Sequence, residues 1–384
     1  MTLSRKFHIV FVQRTSSQLD VPFYSELSRL SNGSICLCYL NEEGIYRTQM
    51  DPELGVVPDF GLRYDFPVFH YSPSSLKKLL VSLRQNRPQL LVLMDLNRRM
   101  RIRLALCAWR AGIPVILRSD NNRVMSHART GVALWLERFA WRSLFDGLAP
   151  VSPLTSEYYG AKDTDEIWPF PYMTDARRYG RNPEWPSMRI QLRDQLGFKR
   201  DQFVFLAVAK FSRRENPLGI LRAFSYALER ADGIGLILIG AGPMEREVRA
   251  WHESHVRQNA VLPGYIPYQG LERYFSASDA FVHLPEEGCW EASPQDALVA
   301  ELGLICSSRT GVGLHFLTGD LREFLVNYDD PEEAGQAMIK LLELRGQMPS
   351  GLRGHGGKPG KNTRYKRLQV YGGRKCSGCF CDPQ

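Results

Sequence analysis

Apolar positions in the first half of the chain fall into short runs, separated by longer stretches with helical spacing. Short apolar runs bounded by turn residues predict strands, and apolar residues at every third or fourth position predict helices. The strands predicted in this half are 7–12, 35–40, 90–95, 115–118 and 148–151. The helices predicted between them include 74–84, 100–111 and 132–143. Such alternation predicts βαβ units and a parallel sheet.

The second half of the chain repeats this alternation. Its predicted strands are 204–208, 236–240, 260–262, 280–283 and 304–307. Its predicted helices are 218–228, 244–252, 271–276, 294–300 and 332–344. The sequence therefore predicts an α/β protein of two Rossmann-like domains facing a crevice, with ligands at the carboxyl ends of the strands.

Proline, glycine and tryptophan interrupt the pattern between about 167 and 195. We therefore predict an N-terminal Rossmann-like domain over 1–175, a linker over 176–200 and a C-terminal Rossmann-like domain over 201–345. Residues 346–384 form a basic, glycine-rich tail without periodic apolar positions. Such a segment buries too little surface to offset its ordering entropy, so we expect it to be disordered.

Composition favours a globular protein, since 44% of residues are hydrophobic and 23% are charged. We find no run of about 18 apolar residues, the length that a membrane-spanning helix requires. The first apolar run, 7–12, is too short for a signal peptide and has no small-residue cleavage site after it. Scattered cysteines in apolar runs fit buried thiols in a reducing compartment. We therefore expect a cytoplasmic protein.

The net charge of +8 is concentrated in the tail, which holds eight Lys or Arg residues against one Asp after residue 350. The tail lacks interleaved aromatic residues and any recognised motif, so we expect no nucleic-acid partner. Cys376, Cys379 and Cys381 resemble half of a zinc site. A closed structural site needs four ligands, so we expect no metal.

Lys210 and Arg214 follow a predicted strand and precede a helix, which places them at a carboxyl-end loop facing the crevice. Fixed cations there would stabilise the charge that grows on a leaving diphosphate. Gly240 and Gly242 end the next strand, where absent side chains let backbone approach a ligand closely. The alternatives are a solvated basic turn and an ordinary strand-to-helix turn.

Glu287 and Asp296 flank Trp290 in the segment after the fourth strand of this half. The order Ser293, Pro294, Asp296 predicts a helix start with a serine N-cap and a capping acid. The same helix start would point amides and a positive dipole at a diphosphate. Capping alone remains the alternative explanation of Asp296.

In the first half, Arg118 and Asp120 end a strand, and His127 follows in a polar loop. Their crevice position makes them candidates for acceptor or phosphate contact. Four arginines between 98 and 103 stand at a helix start, where cations are unfavourable. An anionic lipid headgroup would suit them. A solvated charged face is the alternative.

With these pieces in order, the chain resembles the family-4 retaining glycosyltransferases of the GT-B fold, most specifically over 203–313. The residues that match the family pattern are Ala209, Lys210, Phe211, Pro217, Gly240, Gly242, Pro243, Gly264, Pro267, Asp296, Ala297, Ser307, Gly311 and Gly313. In the first half, 158–161 and 170–175 resemble the family's segment before the linker.

The resemblance implies metal-independent hexosyl transfer from a nucleotide sugar, a UDP- or GDP-sugar, with retained anomeric configuration. It implies acceptor binding by the first domain and donor binding by the second. The acceptor would be a polysaccharide, lipopolysaccharide or glycolipid, with peripheral contact to the inner face of the cytoplasmic membrane.

The resemblance also implies roles for single residues. Lys210 and Arg214 would neutralise the leaving diphosphate, Asp296 would bind the donor ribose, and Glu287 would face the donor sugar or phosphate. The remaining donor-binding candidates, by backbone or side chain, are Gly240, Gly242, Tyr265, Ser293 and Gly311.

Three positions depart from the family pattern. The second acid of the Glu-x7-Glu signature is Asp296, the first falls on Gly288 with Glu287 one place early, and the second lysine is Glu215. Two alternatives therefore stay open, a catalytically impaired GT-B protein that binds sugar nucleotides or scaffolds a complex, and a sugar-nucleotide epimerase.

Overall fold

The computed structural model divides the chain into two compact units. Unit 1 comprises Met1–Met50 and Val57–Met173, and unit 2 comprises Asp51–Val56 and Thr174–Gln384. The residues that the structure describes are 7–14, 20–40, 51, 53–54, 64–71, 76–125, 130–162, 164–174, 176–179 and 182–346. The predicted tail after 346 lies outside them.

Unit 1 is built on six parallel strands. They are β1 (Ile9–Gln13), β2 (Ile35–Tyr39), β3 (Val68–His70), β4 (Leu90–Leu93), β5 (Val115–Ser119) and β6 (Gly147–Pro150). Its helices are α1 (Val21–Leu30), α2 (Leu76–Asn86), α3 (Arg98–Ala111), α4 (Gly131–Leu144) and α5 (Pro153–Tyr159). The strand order is β3-β2-β1-β4-β5-β6.

The chain enters unit 2 through two helices, α6 (Ala176–Tyr179) and α7 (Trp185–Leu196). The strands of this unit are β7 (Phe203–Val208), β8 (Ile234–Ile239), β9 (Ala260–Gly264), β10 (Ala280–His283), β11 (Gly303–Ser307) and β12 (Leu325–Val326). Its further helices are α8 (Pro217–Leu228), α9 (Glu245–His255), α10 (Glu272–Ala277), α11 (Ala292–Val299), α12 (Gly311–Phe316) and α13 (Pro331–Gly346). The strand order is β12-β11-β10-β7-β8-β9.

Both sheets have the strand order of a Rossmann fold when the strands are counted within each unit. All the pairings are parallel, for example Ile9 with Ile35 in unit 1 and Phe203 with Ile234 in unit 2. The order reverses between β1 and β4 in unit 1, and between β7 and β10 in unit 2. Ligands of this fold bind outside the carboxyl ends of the strands at such a reversal.

The strands read as continuous apolar runs because helices cover both faces of each sheet. All six residues of β8 are buried, as are all five of β2. In unit 1, buried residues form separate clusters, such as that of Val10 and Val12 and that of Phe11 with Tyr24. Alternating residues of β1 thus face opposite layers, which explains how one strand anchors helices on both sides.

Most of the predicted elements are present, with ends displaced by a few residues. The clearest disagreement is α7, which occupies much of the predicted linker. Trp185 and Pro186 are among the residues from which the sequence predicts a break in regular structure there. In fact Pro186 lies in the first turn of the helix, where its missing N–H would have had no intrahelical partner. The helix ends at Gly197, whose positive φ of 79° suits a C-terminal cap.

The helix predicted over 294–300 begins earlier than expected. α11 starts at Ala292 with Glu291 as its N-cap, and no side chain caps it. Ser293 therefore lies inside the first turn, so its predicted role as N-cap is wrong. None of the described helices combines the length and the apolar character needed to cross a bilayer.

Candidate functional site

The loop between β7 and α8 is held at both ends by local structure. At its start, the buried Phe211 donates its backbone N–H to Ala241 O at 2.8 Å. At its end, Asn216 adopts φ 52°, and its side chain accepts from Gly219 N at 3.1 Å and donates to Tyr328 O at 2.8 Å. Pro217 follows at the first helical position. The two anchors fix the loop that carries Lys210 and Arg214.

Lys210 and Arg214 bind carboxylates from a distant part of the sequence that belongs to the same unit. Lys210 Nζ lies 2.8 Å from Asp51 Oδ2 and 3.2 Å from Glu53 Oε2. Arg214 donates from Nε to Glu53 Oε1 at 3.1 Å and from Nη2 to Glu53 Oε2 at 2.8 Å. The structure thus brings the two predicted cations together on one carboxylate, with Arg214 binding it through both oxygens.

Opposite charges favour the ionised forms of Glu53 and Lys210. Hydrogen bonds from Arg214, aided by the charge of Lys210, outweigh partial burial and lower the pKa of Glu53 to about 2. Burial lowers the pKa of Lys210, but the bonds and charges of Asp51 and Glu53 more than offset it, so that this pKa is raised. Glu215, which stands where the family has lysine, pairs with Arg214 at 2.6 Å. Burial raises the pKa of this third carboxyl.

The two glycines after β8 are required by close backbone approach. A Cβ at Gly240 would lie 1.9 Å from Ala209 O, and one at Gly242 would lie 2.4 Å from Glu53 O. Gly242 also has a φ of 152°, which side chains rarely adopt. Gly240 therefore packs against the loop after β7. Gly242 admits the backbone of Glu53 beside the two cations.

Arg214 also joins the loop after β7 to the loop after β10. Its Nη1 lies 3.4 Å from Glu287 O, and its own backbone oxygen accepts from Glu286 N at 2.7 Å. These contacts cross the reversal of strand order in unit 2. Lys210, Arg214 and Glu287 therefore lie where the fold places its ligands.

At Gly288, the position expected for the first signature acid, a side chain would have to displace the carboxyl group of Glu291. A Cβ there would lie 1.8 Å from Glu291 Oε1. Glu291 is half-buried, and its Oε2 accepts from Val312 N at 3.3 Å near the start of α12. Burial raises the pKa of Glu291 to about 7, although backbone amides lower it. A carboxyl group thus lies beside position 288 but comes from Glu291.

The same segment positions Gly311, the first residue of α12. Gly311 N donates to Gly288 O at 3.1 Å, and Gly288 N donates to Arg309 O at 2.9 Å. Thr310 caps the helix by accepting from Gly313 N at 3.2 Å. Gly311 is therefore fixed beside the loop that carries Glu287.

Asp296 is 2% exposed and has a different set of contacts. Its Oδ1 accepts from Thr174 Oγ1 at 2.8 Å. Burial raises its pKa to about 7, against the Thr174 hydrogen bond and the charge of Arg178, which both lower it. Ser293 lies one turn earlier on α11, and Tyr265 follows β9 directly in a half-buried position. Ribose binding by Asp296 stays a prediction.

The acceptor candidates lie in unit 1. Arg118 is 1% exposed, and its Nη1 donates to Asp20 Oδ1 at 2.6 Å. The guanidinium stacks on Phe170, with its carbon 4.1 Å from the ring centre. Arg118 is thus a buried structural cation in this structure. Asp120 is half-buried and accepts from Tyr172 Oη at 3.1 Å, whereas His127 lies outside the described residues.

Sequence reasoning missed Asp51, Glu53 and Glu291. Glu53 precedes Lys210 by 157 positions and follows no predicted element, so no local pattern marks it. Glu291 lies 21 positions before Val312. Its one sequence signal is an acid close to a signature that lacks its first acid at 288.

Two of three comparisons with known proteins found a match. Residues 188–353 match the family described as Glycosyl transferases group 1. Among curated proteins, none has a sequence that matches this chain.

Solved structures resemble the chain over most of its length. HepE from Anabaena, solved in complex with UDP, is 13% identical with a TM-score of 0.66, over 88% of this chain and 90% of HepE. A glycosyltransferase from Rickettsia africae is 10% identical with a TM-score of 0.66, over 89% of each chain. Sucrose-phosphate synthase from Thermosynechococcus elongatus is 14% identical with a TM-score of 0.62, over 96% of this chain and 92% of the synthase. These likenesses confirm the predicted GT-B architecture of two Rossmann-like domains.

Proposed function

We propose that this protein is a retaining glycosyltransferase, which moves a hexosyl group from a UDP- or GDP-sugar to a polysaccharide, lipopolysaccharide or glycolipid acceptor. The observation that carries the proposal is the pair Lys210 and Arg214, which both bind Glu53 at the strand-order reversal of unit 2. Two cations fixed on one anion favour a ligand with adjacent negative charges. The match of 188–353 to glycosyl transferases, and a similar fold solved with UDP, support it further.

Such a transfer breaks the bond between the anomeric carbon and the donor diphosphate. Negative charge then grows on the departing phosphate oxygens. Lys210 and Arg214 would neutralise it from positions fixed by the loop after β7, which spares reorganisation during the reaction. We propose that these two side chains supply the neutralisation without a metal ion.

The other donor contacts are proposed from their positions at the carboxyl ends of β8 to β11. Asp296 would bind the ribose hydroxyls, and Glu287 would face the donor sugar. Binding of the nucleotide would involve Gly240, Gly242, Tyr265, Ser293 and Gly311. On the acceptor side, the proposal keeps Asp120, which is half-buried. It does not keep Arg118, because that side chain is occupied by Asp20.

The experiment that tests the proposal measures transfer and donor hydrolysis with a panel of nucleotide sugars. Replacement of Lys210 by alanine removes one of the two fixed positive charges that would stabilise the leaving diphosphate. We therefore expect kcat to fall by about 10²- to 10³-fold. The matched control is Lys199→Ala, which removes an exposed lysine before β7. Equal turnover in wild type and Lys210→Ala would contradict the assigned role.

A binding protein without turnover is the second candidate, and one observation favours it. The first acid of the family signature is replaced by Gly288, and the carboxyl group beside it, that of Glu291, already accepts from Val312 N. Nucleotide-sugar binding with neither transfer nor hydrolysis would establish this candidate. An altered sugar released without an acceptor would instead identify an epimerase.

We also propose a cytoplasmic location with peripheral contact to an anionic membrane. The support for a reducing compartment is that the described cysteines are free thiols. The support for the membrane is α4, which exposes Val132, Trp135 and Phe139, with the last two rings stacked at 5.8 Å. The neighbouring helix α3 carries exposed arginines at 98, 99 and 103. Apolar side chains beside cations suit an anionic lipid surface.

Vesicle sedimentation tests this contact. We expect binding to vesicles that contain phosphatidylglycerol, and weaker binding to pure phosphatidylcholine. The double variant Trp135→Ser/Phe139→Ser should release the protein. Ile190→Ser, which removes an exposed apolar side chain of unit 2, should not. Equal sedimentation of the two variants would contradict the assignment of α4.

A further inference from the structure

The carboxylates that bind Lys210 and Arg214 come from a preorganised acidic turn, consisting of Asp51, Glu53 and Leu54. Asp51 Oδ1 accepts from Glu53 N at 2.9 Å and from Leu54 N at 3.1 Å. Leu54 is 8% exposed, so it anchors the turn by burial. The turn therefore keeps its shape through its own hydrogen bonds and presents two carboxylates on one side.

The acidic turn makes the contacts that an anionic ligand with two charged groups would make. Asp51 binds Lys210 alone, and Glu53 binds both Lys210 and Arg214. The Glu53 backbone oxygen lies against Gly242, where a Cβ would be only 2.4 Å away. The turn thus occupies both the cations and the glycine loop, the two features that predict diphosphate binding.

These ion pairs are accessible to solvent, unlike the pair of Arg118 with Asp20. The side chains of Lys210, Arg214 and Glu53 are 33%, 36% and 33% exposed. Ion pairs at this exposure contribute little net stability, because water and salt compete for them. A diphosphate brings at least as much negative charge to the same donors. The free energy of replacing the acidic turn by a diphosphate at Lys210 and Arg214 is therefore small.

We infer that the acidic turn is an internal competitor of the donor diphosphate. Donor binding displaces Asp51 and Glu53 from the cations, and the turn returns when the nucleoside diphosphate leaves. Glu53 is then a residue that sets the affinity for the donor and for the product. This inference rests on the proposed function, because it takes the competing anion to be the diphosphate of a nucleotide sugar.

The test is calorimetric titration of the full-length protein with UDP, GDP and inorganic pyrophosphate. Glu53→Gln keeps the size of the side chain but removes its charge, so it binds the cations less well. We expect the Kd for UDP or GDP, and that for pyrophosphate, to fall by about two- to fivefold, the ratio that corresponds to losing exposed ion pairs worth up to about 1 kcal/mol together. Asp51→Asn should have a smaller effect, since Asp51 binds Lys210 alone.

Two controls isolate the exchange. Glu229→Gln changes the net charge equally, but Glu229 pairs with Arg230 at an exposed site on α8's end. It should leave every Kd unchanged. In the background of Lys210→Ala, adding Glu53→Gln should raise the affinity less than it does in wild type. One of the two cations for which Glu53 and the ligand compete is then missing.

Several results would overturn the inference. An unchanged Kd in Glu53→Gln, together with a lowered Tm, would make the turn a structural brace. Weaker binding of UDP or GDP in this variant would make Glu53 a contact of the nucleotide rather than its competitor. If wild type binds neither UDP nor GDP while Glu53→Gln still tightens pyrophosphate, the exchange stands and the proposed function fails. If UDP binds wild type and Glu53→Gln equally, the proposed function stands and the exchange fails.

Discussion

The two units share one strand order but use the cations at their strand ends in opposite ways. In unit 1, Arg118 at the end of β5 is fully buried, paired with Asp20 and stacked on Phe170. In unit 2, Lys210 and Arg214 after β7 are about one-third exposed and share Glu53. Each arrangement pairs a cation with a carboxylate, so the pairing alone does not identify a ligand site.

Burial makes the difference between them. A buried arginine that loses its carboxylate keeps an uncompensated charge in a medium that solvates it poorly. An exposed cation that loses its carboxylate is solvated by water or by another anion. The comparison teaches that Arg118 belongs to the architecture of unit 1, whereas Lys210 and Arg214 are free to change partners.

The largest expected effect is the difference in unfolding free energy between variants that lack the carboxylate of Asp20 and variants that lack that of Glu53. Asp20→Ala leaves Arg118 buried without its partner, so we expect a loss of about 3–5 kcal/mol. Glu53→Ala should cost at most about 1 kcal/mol, as exposed pairs do. Urea unfolding of the two variants measures the difference.

A companion variant checks the cause of that loss. Replacing both partners, as in Asp20→Leu/Arg118→Met, removes the buried charge along with its partner. It should recover much of the stability that Asp20→Ala loses. Similar losses for Asp20→Ala and Glu53→Ala would remove the distinction between the two regions.

The next effect is the pH dependence of stability that comes from Asp296. Its buried carboxyl accepts a hydrogen bond from the hydroxyl of Thr174 instead of pairing with a cation. Burial raises the pKa of Asp296 from its ordinary 3.8 to about 7. Between these values the native state binds more protons than the unfolded state, so this contribution to stability falls as pH rises. It is full below pH 3.8 and lost above about pH 7, a change of at most about 4 kcal/mol.

Thermal unfolding between pH 4 and 8 tests this sign. Asp296→Asn cannot ionise, so its Tm should decline less than that of wild type as pH rises through this window. Glu291→Gln should act in the same direction, because burial raises the pKa of Glu291 from 4.5 to about 7. A wild-type Tm that rises more steeply than that of Asp296→Asn would refute the assignment.

The smallest effect concerns the coupling energy of each ion pair in a double-mutant cycle. For Lys210 with Glu53 we expect about 0.2–1 kcal/mol at low salt, as in other exposed pairs. In 1 M NaCl the screening length is about 3 Å, so this coupling should nearly vanish. The coupling of Arg118 with Asp20 should persist, since salt does not reach a buried pair. Equal salt sensitivity of the two cycles would argue against the contrast in burial.

The sequence was sufficient for the fold class because most strands are local apolar runs and most long helices local periodic patterns, although it did not predict β3, β12 or α1. It located Lys210 and Arg214 for the same reason, since both directly follow β7. It could not reveal that Arg118 is buried, because its partner Asp20 is 98 positions away. Nor could it reveal Glu53, because its contacts depend on the packing of Asp51–Val56 into unit 2, far from this segment's neighbours in sequence.

It also placed Ser293 wrongly, for a physical reason. A serine before proline is a common N-cap, but α11 begins two residues earlier than predicted, at Ala292. Glu291 stands at the N-cap position instead, and its side chain contacts the start of α12, 21 positions further along the chain. Local rules therefore predicted this helix but not its first residue.

The membership of Asp51–Val56 in unit 2 has a consequence for synthesis of the protein. Glu53 leaves the ribosome 157 residues before Lys210, a delay of roughly 8 to 30 s at ordinary rates of translation. During that interval unit 1 can fold around β1 to β6 while the acidic turn has no partner. The acidic turn can close on Lys210 and Arg214 only after both cations have been synthesised. A fragment that begins at Thr174 lacks this segment, and its exposed cations would bind stray polyanions.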